Sequence, residues 1–401
     1  MTFRKALRPL AIPVIHAMVP FKTWAWTTRR TWLRGLILEI TSLIDFLLVG
    51  MLVQNNALMM TFKAFGGGNF FFGRALMVTD HASAAAAVVK PQLRGSLFMG
   101  LPIVGYAPST FMSNAGPISV SQPARRVLRR HLDDHVVSDA HRSPDIAALR
   151  ADCADVLSDW AGDPRRDTLW SLRGTAARML ARILADVDVP KAEMDAATAA
   201  YLRRFGELSA FSYYAPFMLS LLGTHETIRR DVFLPLKRHG IDPLVVDMIM
   251  FAGMFSVGTI VMKCVEYTRV HDVDYASLSH RERLAFVVES LRLFPTVSTV
   301  HRIVEESEQV AVGKRMIDVR PGCEIAYPFV CIHRNAEVFG DPEAFRLDRP
   351  AAEVAQILSW SRGPNMCPVR DLSVVVTVLM LDTLAESAGD LRRLDIYNIE
   401  F

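Results

Sequence analysis

The sequence predicts a mainly α-helical protein with small β-sheets, assembled around a loop that presents one cysteine. Three observations carry this reading. Residues 145–242 keep a helical pattern throughout, punctuated at Pro164, Pro190 and Gly223. Leu244 to Tyr267 then forms one long apolar helix. Two stretches alternate in the manner of short strands: Asn69 to Thr79, broken at Gly73, and Ser298 to Val330, turned at Val312-Gly313-Lys314 and Arg320-Pro321-Gly322.

Length would allow two or three domains at roughly 150 residues each. No Pro/Ser/Gly-rich linker, repeat or low-complexity tract divides the 401 residues, however. The expected organisation is a leader and first helix over residues 1–65, followed by a single domain over 66–401. The chain is 51% hydrophobic and 22% charged, with a formal net charge of +3. A balance so near zero gives no case for a nucleic-acid partner. The five cysteines are odd in number and widely spaced, and no C-x-x-C pair exists. Neither a zinc site nor a disulfide framework is indicated, and a reducing compartment fits best. With no secretory cleavage pattern, the expected location is intracellular, either cytoplasmic or peripheral on a membrane.

From Met1 to Leu38 there is no acidic residue, and Arg4, Lys5, Arg8, Lys22, Arg29, Arg30 and Arg34 interleave with Phe3, Phe21, Trp24, Trp26 and Trp32. Three readings stay open for this leader: an amphipathic segment resting on an anionic membrane, a targeting segment, or an N-terminus packed on the body. Leu36 to Phe62 is long enough to span a bilayer, but Glu39, Asp45, Gln54, Asn55 and Asn56 interrupt it. It reads as a long buried or membrane-facing helix rather than a span. Core stripes are expected through Leu149, Val156 and Trp160, through Leu172, Met179, Leu180 and Ile183, and through Tyr201, Phe205, Phe211, Phe217 and Leu221.

The chemistry points to Trp360–Val376. Gly363, Pro364 and Asn365 make a turn-prone loop, Cys367 follows, and Val374 to Leu384 forms an apolar helix behind it. Such a loop suits a thiolate held against a haem iron. Small residues let it pass close over a porphyrin, and the helix aims its N-terminal N–H groups at the sulfur and keeps it ionised. Glu289 and Arg292 share a helical face at i, i+3 and are expected to pair and brace the chain behind this loop. Pro123 opens another helix, on which Arg125 and Arg129 lie four apart and present two guanidiniums to paired carboxylates.

Glu289-Ser290-Leu291-Arg292, then Phe339-Gly340-Asp341-Pro342-Glu343-Ala344-Phe345-Arg346-Leu347-Asp348-Arg349-Pro350, then the cysteine loop stand in an order that resembles the cytochrome P-450 haem-thiolate superfamily. Within it the chain is most similar to the allene oxide synthase and hydroperoxide lyase branch. There, too, the loop begins W-S-x-G-P, a basic–acidic pair (here Arg370-Asp371) follows the cysteine, and a Y-x-P-S-T motif matches Tyr106-Ala107-Pro108-Ser109-Thr110. The likeness runs from about Tyr106 to the C-terminus. It implies a triangular prism of helices around a buried haem b, with Cys367 as catalytic axial ligand to the iron and Gly363, Pro364 and Asn365 lining the cofactor. Arg125, Arg129 and Arg302 would bind the propionates, with His301 a competitor for the last role. Phe255, Ser256 and the loop from Phe98 to Ser119 would shape the distal side, and Ser119 would donate a hydrogen bond to a peroxide.

The chain departs from the superfamily pattern at three places. Ala252-Gly253-Met254-Phe255-Ser256 replaces the acid and threonine of the usual proton relay with Phe255 and Ser256. Asn365 stands where His or Arg is common, and Val369 where glycine lets the helix approach the porphyrin closely. The branch implies an enzyme that rearranges or cleaves polyunsaturated fatty-acid hydroperoxides without external reductant or redox partner. The alternatives are a conventional monooxygenase or peroxygenase, and a haem-containing protein that only binds an apolar ligand.

Overall fold

The computed structural model describes most of residues 68–89 and 145–394, two short strands between those spans, and isolated positions elsewhere. The first elements described from end to end are β1 (Phe70–Phe72) and β2 (Ala75–Met77), a hairpin with Phe70 opposite Met77 across the break expected at Gly73. Asn69 closes the open end of this hairpin, its side chain accepting the Thr79 N–H at 2.8 Å. The helix α1 (His81–Val88) follows, capped by Asp80, whose carboxylate accepts the Ser83 N–H. Next come β3 (Leu97–Phe98) and β4 (Leu101–Pro102), which pair so that Phe98 sits opposite Leu101. Phe98, expected in a loop, therefore lies in a strand.

The helical half begins with α2 (Ile146–Gly162), α3 (Thr168–Ala185) and α4 (Lys191–Tyr214). Two short helices, α5 (Thr224–Ile228) and α6 (Leu234–Arg238), are joined by a π-helical turn. The apolar run expected as one helix is α7 (Pro243–Asp247), a π-helical turn at Met248–Gly253, and α8 (Met254–Val270). By length and composition Met248–Val270 could cross a membrane, yet most of it is buried inside the protein, as a core helix would be. Then α9 (His280–Leu293) starts at a capping box of Ser279 and Glu282 and stops ahead of Pro295.

The strands β5 (Thr299–Ile303), β6 (Glu308–Val312), β7 (Arg315–Val319) and β8 (Glu324–Pro328) fall between the turns read from the sequence. One sheet has the order β1-β2-β8-β5, while β6 and β7 pair with each other. The helices α10 (Phe329–Ile332) and α11 (Ala351–Val354) are single turns. The last helix, α12 (Arg370–Ala388), runs past both ends of its expected core and terminates at Gly389, whose φ of 73° closes the helix as a left-handed residue does.

Two apolar cores result. The larger joins α2, α3, α4, α8, α9 and α12 and contains Leu149, Leu172, Met179, Leu180, Ile183 and Tyr201, all expected inside. Leu221 is the exception: it is a helical residue 75% exposed, directly before the turn at Leu222 and Gly223. The smaller core lies between the four-stranded sheet and α1 and includes Phe71, Leu76, Val88, Phe329 and Leu358. The side chains of Val156, Trp160, Phe205, Phe211 and Phe217 fall outside the described set, as does most of Leu36 to Phe62. In the leader, Phe21, Trp24 and Trp32 are exposed.

Among the described residues, the most extensive helix contact is α3 on α8. It depends on Gly258, where a Cβ would meet Arg173 Cγ at 2.7 Å and the Arg173 backbone at 3.1 Å. Gly258→Val is expected to force these helices apart and destabilise the protein by about 1–3 kcal/mol, the usual penalty of overpacking. A lower urea midpoint at unchanged slope would show it.

Candidate active site

Cys367 lies on the loop that feeds α12, two residues before its N-cap Val369. Of the five cysteines, none disulfide-bonded, it alone is not buried. Burial pushes the thiols of Cys153 and Cys264 up to about 12, so both stay protonated and inert. The Cys367 N–H donates to the Trp360 carbonyl at 2.8 Å, closing the loop on itself. Inside that closure the backbone turns left-handed at Ser361 (φ 61°) and Gly363 (φ 56°). A Cβ on Gly363 would meet Val89 at 3.2 Å, so the glycine serves both the turn and the close approach of the chain after α1. Trp360 donates its indole N–H to Ser373 at 3.1 Å, and the Arg370 guanidinium lies 5.4 Å from its ring centroid. The tryptophan thereby locks the loop to the first turn of α12. Val369 packs against the larger core.

Behind the loop sits a buried ion cluster. Arg292 grips Glu289 with two bonds of 2.8 and 2.7 Å, and Arg349 contributes two more of 2.9 Å. The three side chains are at most 3% exposed. Their remaining donors go to backbone carbonyls: Arg292 to His333, Pro342 and Ala344, Arg349 to Gly340, Asp341 and Ala344. Arg349 also reaches Glu353 at 2.9 Å. The expected Glu289–Arg292 pair is therefore not a surface pair of small value but the centre of a fold-wide tie. The run that holds Arg349 stands out in the sequence, but this role for the arginine does not.

His333, which sequence reasoning missed, joins the cluster to the loop. It is fully buried between Phe329, stacked on it with centroids 5.6 Å apart, and Phe339 on its edge. The Leu358 N–H donates to Nε2 at 2.8 Å, so the ring proton is on Nδ1, 3.1 Å from the Arg292 carbonyl. Burial, aided by the nearby Arg292, His81 and Arg334, holds its pKa down to about 3. A lone histidine ending the apolar run Phe329–Ile332 is a faint signal of such a role.

On the other side of the larger core, the π-helical turn ends at Gly253, and α8 resumes with Met254, Phe255 and Ser256. Phe255 and Ser256 are half-buried. The Arg173 guanidinium from α3 lies 4.1 Å from the Phe255 ring centroid and donates to Thr259 at 3.3 Å. Since α8 packs on α12, the segment with Phe255 and Ser256 and the cysteine loop belong to adjoining helices. Arg302 stands in β5 opposite Ile325 and His301 opposite Ala326; their side chains are not among those described. Ser119, Arg125, Arg129, Pro364 and Asn365, with Tyr106–Thr110, lie outside the described residues.

The described residues fit a haem at Cys367. The donor set is a single soft sulfur, accessible where the other cysteines are not, on a loop pinned at both ends and aimed from a helix N-terminus. Two outcomes are expected of this framework. Glu289→Ala leaves two buried guanidiniums facing each other and should destabilise the protein by about 3–5 kcal/mol, read by denaturant unfolding. His333 is neutral when folded, whereas the unfolded ring titrates near its ordinary 6.5. The unfolded chain therefore binds the extra proton between about 6.5 and 3, and the stabilising contribution, complete above 6.5, is lost as pH falls through that window. Comparing His333→Gln with the parent across it should remove up to about 1.4 kcal/mol per pH unit of slope.

Comparisons with known proteins agree with this geometry. Residues 268–384 match the family profile "Cytochrome P450". A search of curated proteins finds no match to the chain. Among solved structures, CYP109E1 from Bacillus megaterium with corticosterone aligns at a TM-score of 0.58 and 14% identity, covering 83% of this chain and 90% of that one. P450BioI in complex with acyl carrier protein carrying hexadec-9Z-enoic acid aligns at 0.62 and 15%, covering 82% and 90%. A six-coordinated cytochrome P450 from Thermus thermophilus aligns at 0.58 and 16%, covering 85% and 91%. At such identities the likeness is one of fold. The chain has the cytochrome P450 fold, the fold of haem-thiolate enzymes, and its residues 268–384 carry that family's profile.

Proposed function

We propose that this haem-thiolate enzyme acts on an apolar substrate that arrives with its O–O bond already made, a polyunsaturated fatty-acid hydroperoxide, and rearranges or cleaves it without external electrons. One observation carries the reading: from Met248 to Met262, across the π-helical turn and the first half of α8, there is no ionisable residue. Haem bound through Cys367 would supply the iron, and the thiolate would push electron density that weakens an O–O bond. The chain's own residues determine how that bond breaks. Phe255, held under the Arg173 guanidinium, stands where the superfamily keeps its acid. Thr259 is buried and bonded to Arg173, which leaves Ser256 as the half-exposed hydroxyl of this stretch. A helix without an acid on this stretch delivers no proton to a departing oxygen and so favours homolytic cleavage. In the resembled branch, rearrangement comes after that cleavage. A fatty-acyl ligand is in keeping with P450BioI, a fold neighbour whose structure holds a hexadec-9Z-enoic acid.

A second reading has its own observation. Ser256 stands in the place of the relay threonine, and with ordered water its hydroxyl would serve a monooxygenase that takes electrons from a redox partner. The neighbour HmtN is described as a hydroxylase. Ferric protein mixed anaerobically with a fatty-acid hydroperoxide, with no reductant, separates the two. The expected result is rapid loss of the conjugated diene without reductant, giving by mass spectrometry an isomer of the hydroperoxide, its dehydration product with water released, or a pair of fragments that share its two oxygens. Ser256→Ala should then retain turnover to within about tenfold. A fall of about a hundredfold or more, the size of a lost general acid, would make Ser256 the proton donor and favour the second reading. No diene loss in a protein with thiolate-ligated haem would sink the first.

A further inference from the structure

We infer that His333 is a positioning residue for the Cys367 thiolate, its neutral ring carrying the placement of α9 into the base of the cysteine loop. The inference rests on Cys367 being the axial ligand. The loop begins well before the cysteine, at Gln356 to Trp360, and side chains from elsewhere in the fold hold that base. His81 meets the Gln356 carbonyl at 2.9 Å, and Ser359 donates to the Leu291 carbonyl at 3.0 Å. Between them His333 accepts from the Leu358 N–H at 2.8 Å. Two residues on, the Trp360 carbonyl receives the Cys367 N–H at 2.8 Å, and the Leu358 carbonyl receives the Ser361 N–H, also at 2.8 Å. Leu358 is therefore one of the points from which the closure hangs.

The histidine serves both sides of this junction. The Arg292 carbonyl needs a donor and the Leu358 N–H an acceptor, and an imidazole with its proton on Nδ1 offers one of each in a rigid ring. The ring cannot swing away, because Phe329 covers its face and Phe339 its edge. Arg292 also donates to the His333 carbonyl at 2.8 Å, so the backbone and the ring of the histidine are both referred to the buried ion cluster. Without the acceptor, the Leu358 N–H is left unpaired in a dry core, and the backbone there must shift to find water or another partner. That shift moves Trp360 and with it the amide that fixes Cys367.

The ferrous carbonyl complex reads the sulfur directly, since thiolate and thiol ligation give different Soret bands. The experiment compares this spectrum, at equal haem occupancy, for the full-length parent and for H333F, H333Q and Y275F. Tyr275 is a buried residue bonded to Asp382 at 3.0 Å, away from the loop, so Y275F reports what ordinary core destabilisation does. Gln keeps an acceptor within reach of Leu358, and H333Q should match the parent's thiolate fraction. Phe fills the space without an acceptor, and H333F should raise the thiol-to-thiolate ratio about tenfold, the equivalent of one lost hydrogen bond. If H333F does not fold, H333N, which reaches the Arg292 carbonyl but not Leu358, should show the same rise. An unchanged ratio in H333F or H333N, or an equal rise in Y275F, overturns the inference. A parent whose carbonyl complex lacks the thiolate band overturns Cys367 ligation itself, and the inference with it. That result is distinguishable because it appears before any substitution is made.

Discussion

The structure depends on one carboxylate. Glu289 sits on α9 with two guanidiniums against it and almost no water, an arrangement that stands only if nearly every donor finds an acceptor. The carbonyls that satisfy Arg292 and Arg349 come from positions 333 to 344, a stretch with little regular structure of its own. Its path is set by the cations instead. Asp341 even takes a left-handed backbone (φ 49°) within this wrap. A polar network this fully paired is rigid in a way an apolar cluster is not, because the directions of its bonds are fixed as well as its density.

Rigidity at that point matters because of what hangs from it. Among its described residues the cysteine loop pairs with no strand, and three ties are central to its shape. The Trp360–Cys367 amide bond closes it, the Trp360 indole clamps it to α12, and the His333 junction hangs its base from α9. A thiolate ligand must be presented at a fixed height and angle over a flat cofactor, and flexible loops do not hold such geometry unaided. Here two framework helices, α9 behind and α12 ahead, hold the loop between them.

Much of this is legible in the sequence, for physical reasons that differ from residue to residue. Cys367 is recognisable because turn residues and an apolar helix bracket it, and Glu289–Arg292 because i, i+3 spacing places the pair on one face. Strands β5 to β8 are recognisable because Gly and Pro mark their ends. Arg349 and His333 are not, since their partners are backbone carbonyls and an amide distant in sequence, and no periodicity reports a tertiary hydrogen bond. The long apolar run reads as one helix because hydrophobicity is blind to the register in which its hydrogen bonds are made. Its π-helical turn at Met248–Gly253 is invisible until the backbone is seen. Leu221 is exposed although it falls on an expected core stripe, because apolar character alone does not say which face of a helix meets the core.

The departures at Phe255 and Gly258 are parts of one arrangement. Gly258 lets the backbone of α3 come within a glycine's distance of α8, and this brings Arg173 over Phe255 and onto Thr259. An acid at position 255 would stand close to that guanidinium in a buried setting and would pair with it, ionised and unable to donate a proton. Phenylalanine is the side chain that the close α3–α8 contact can use, since its ring face accepts the cation without any charge of its own. The helix contact and the missing acid therefore imply each other. A chain with this packing holds no acid at the usual relay position of α8, and its guanidinium-on-ring contact takes that place.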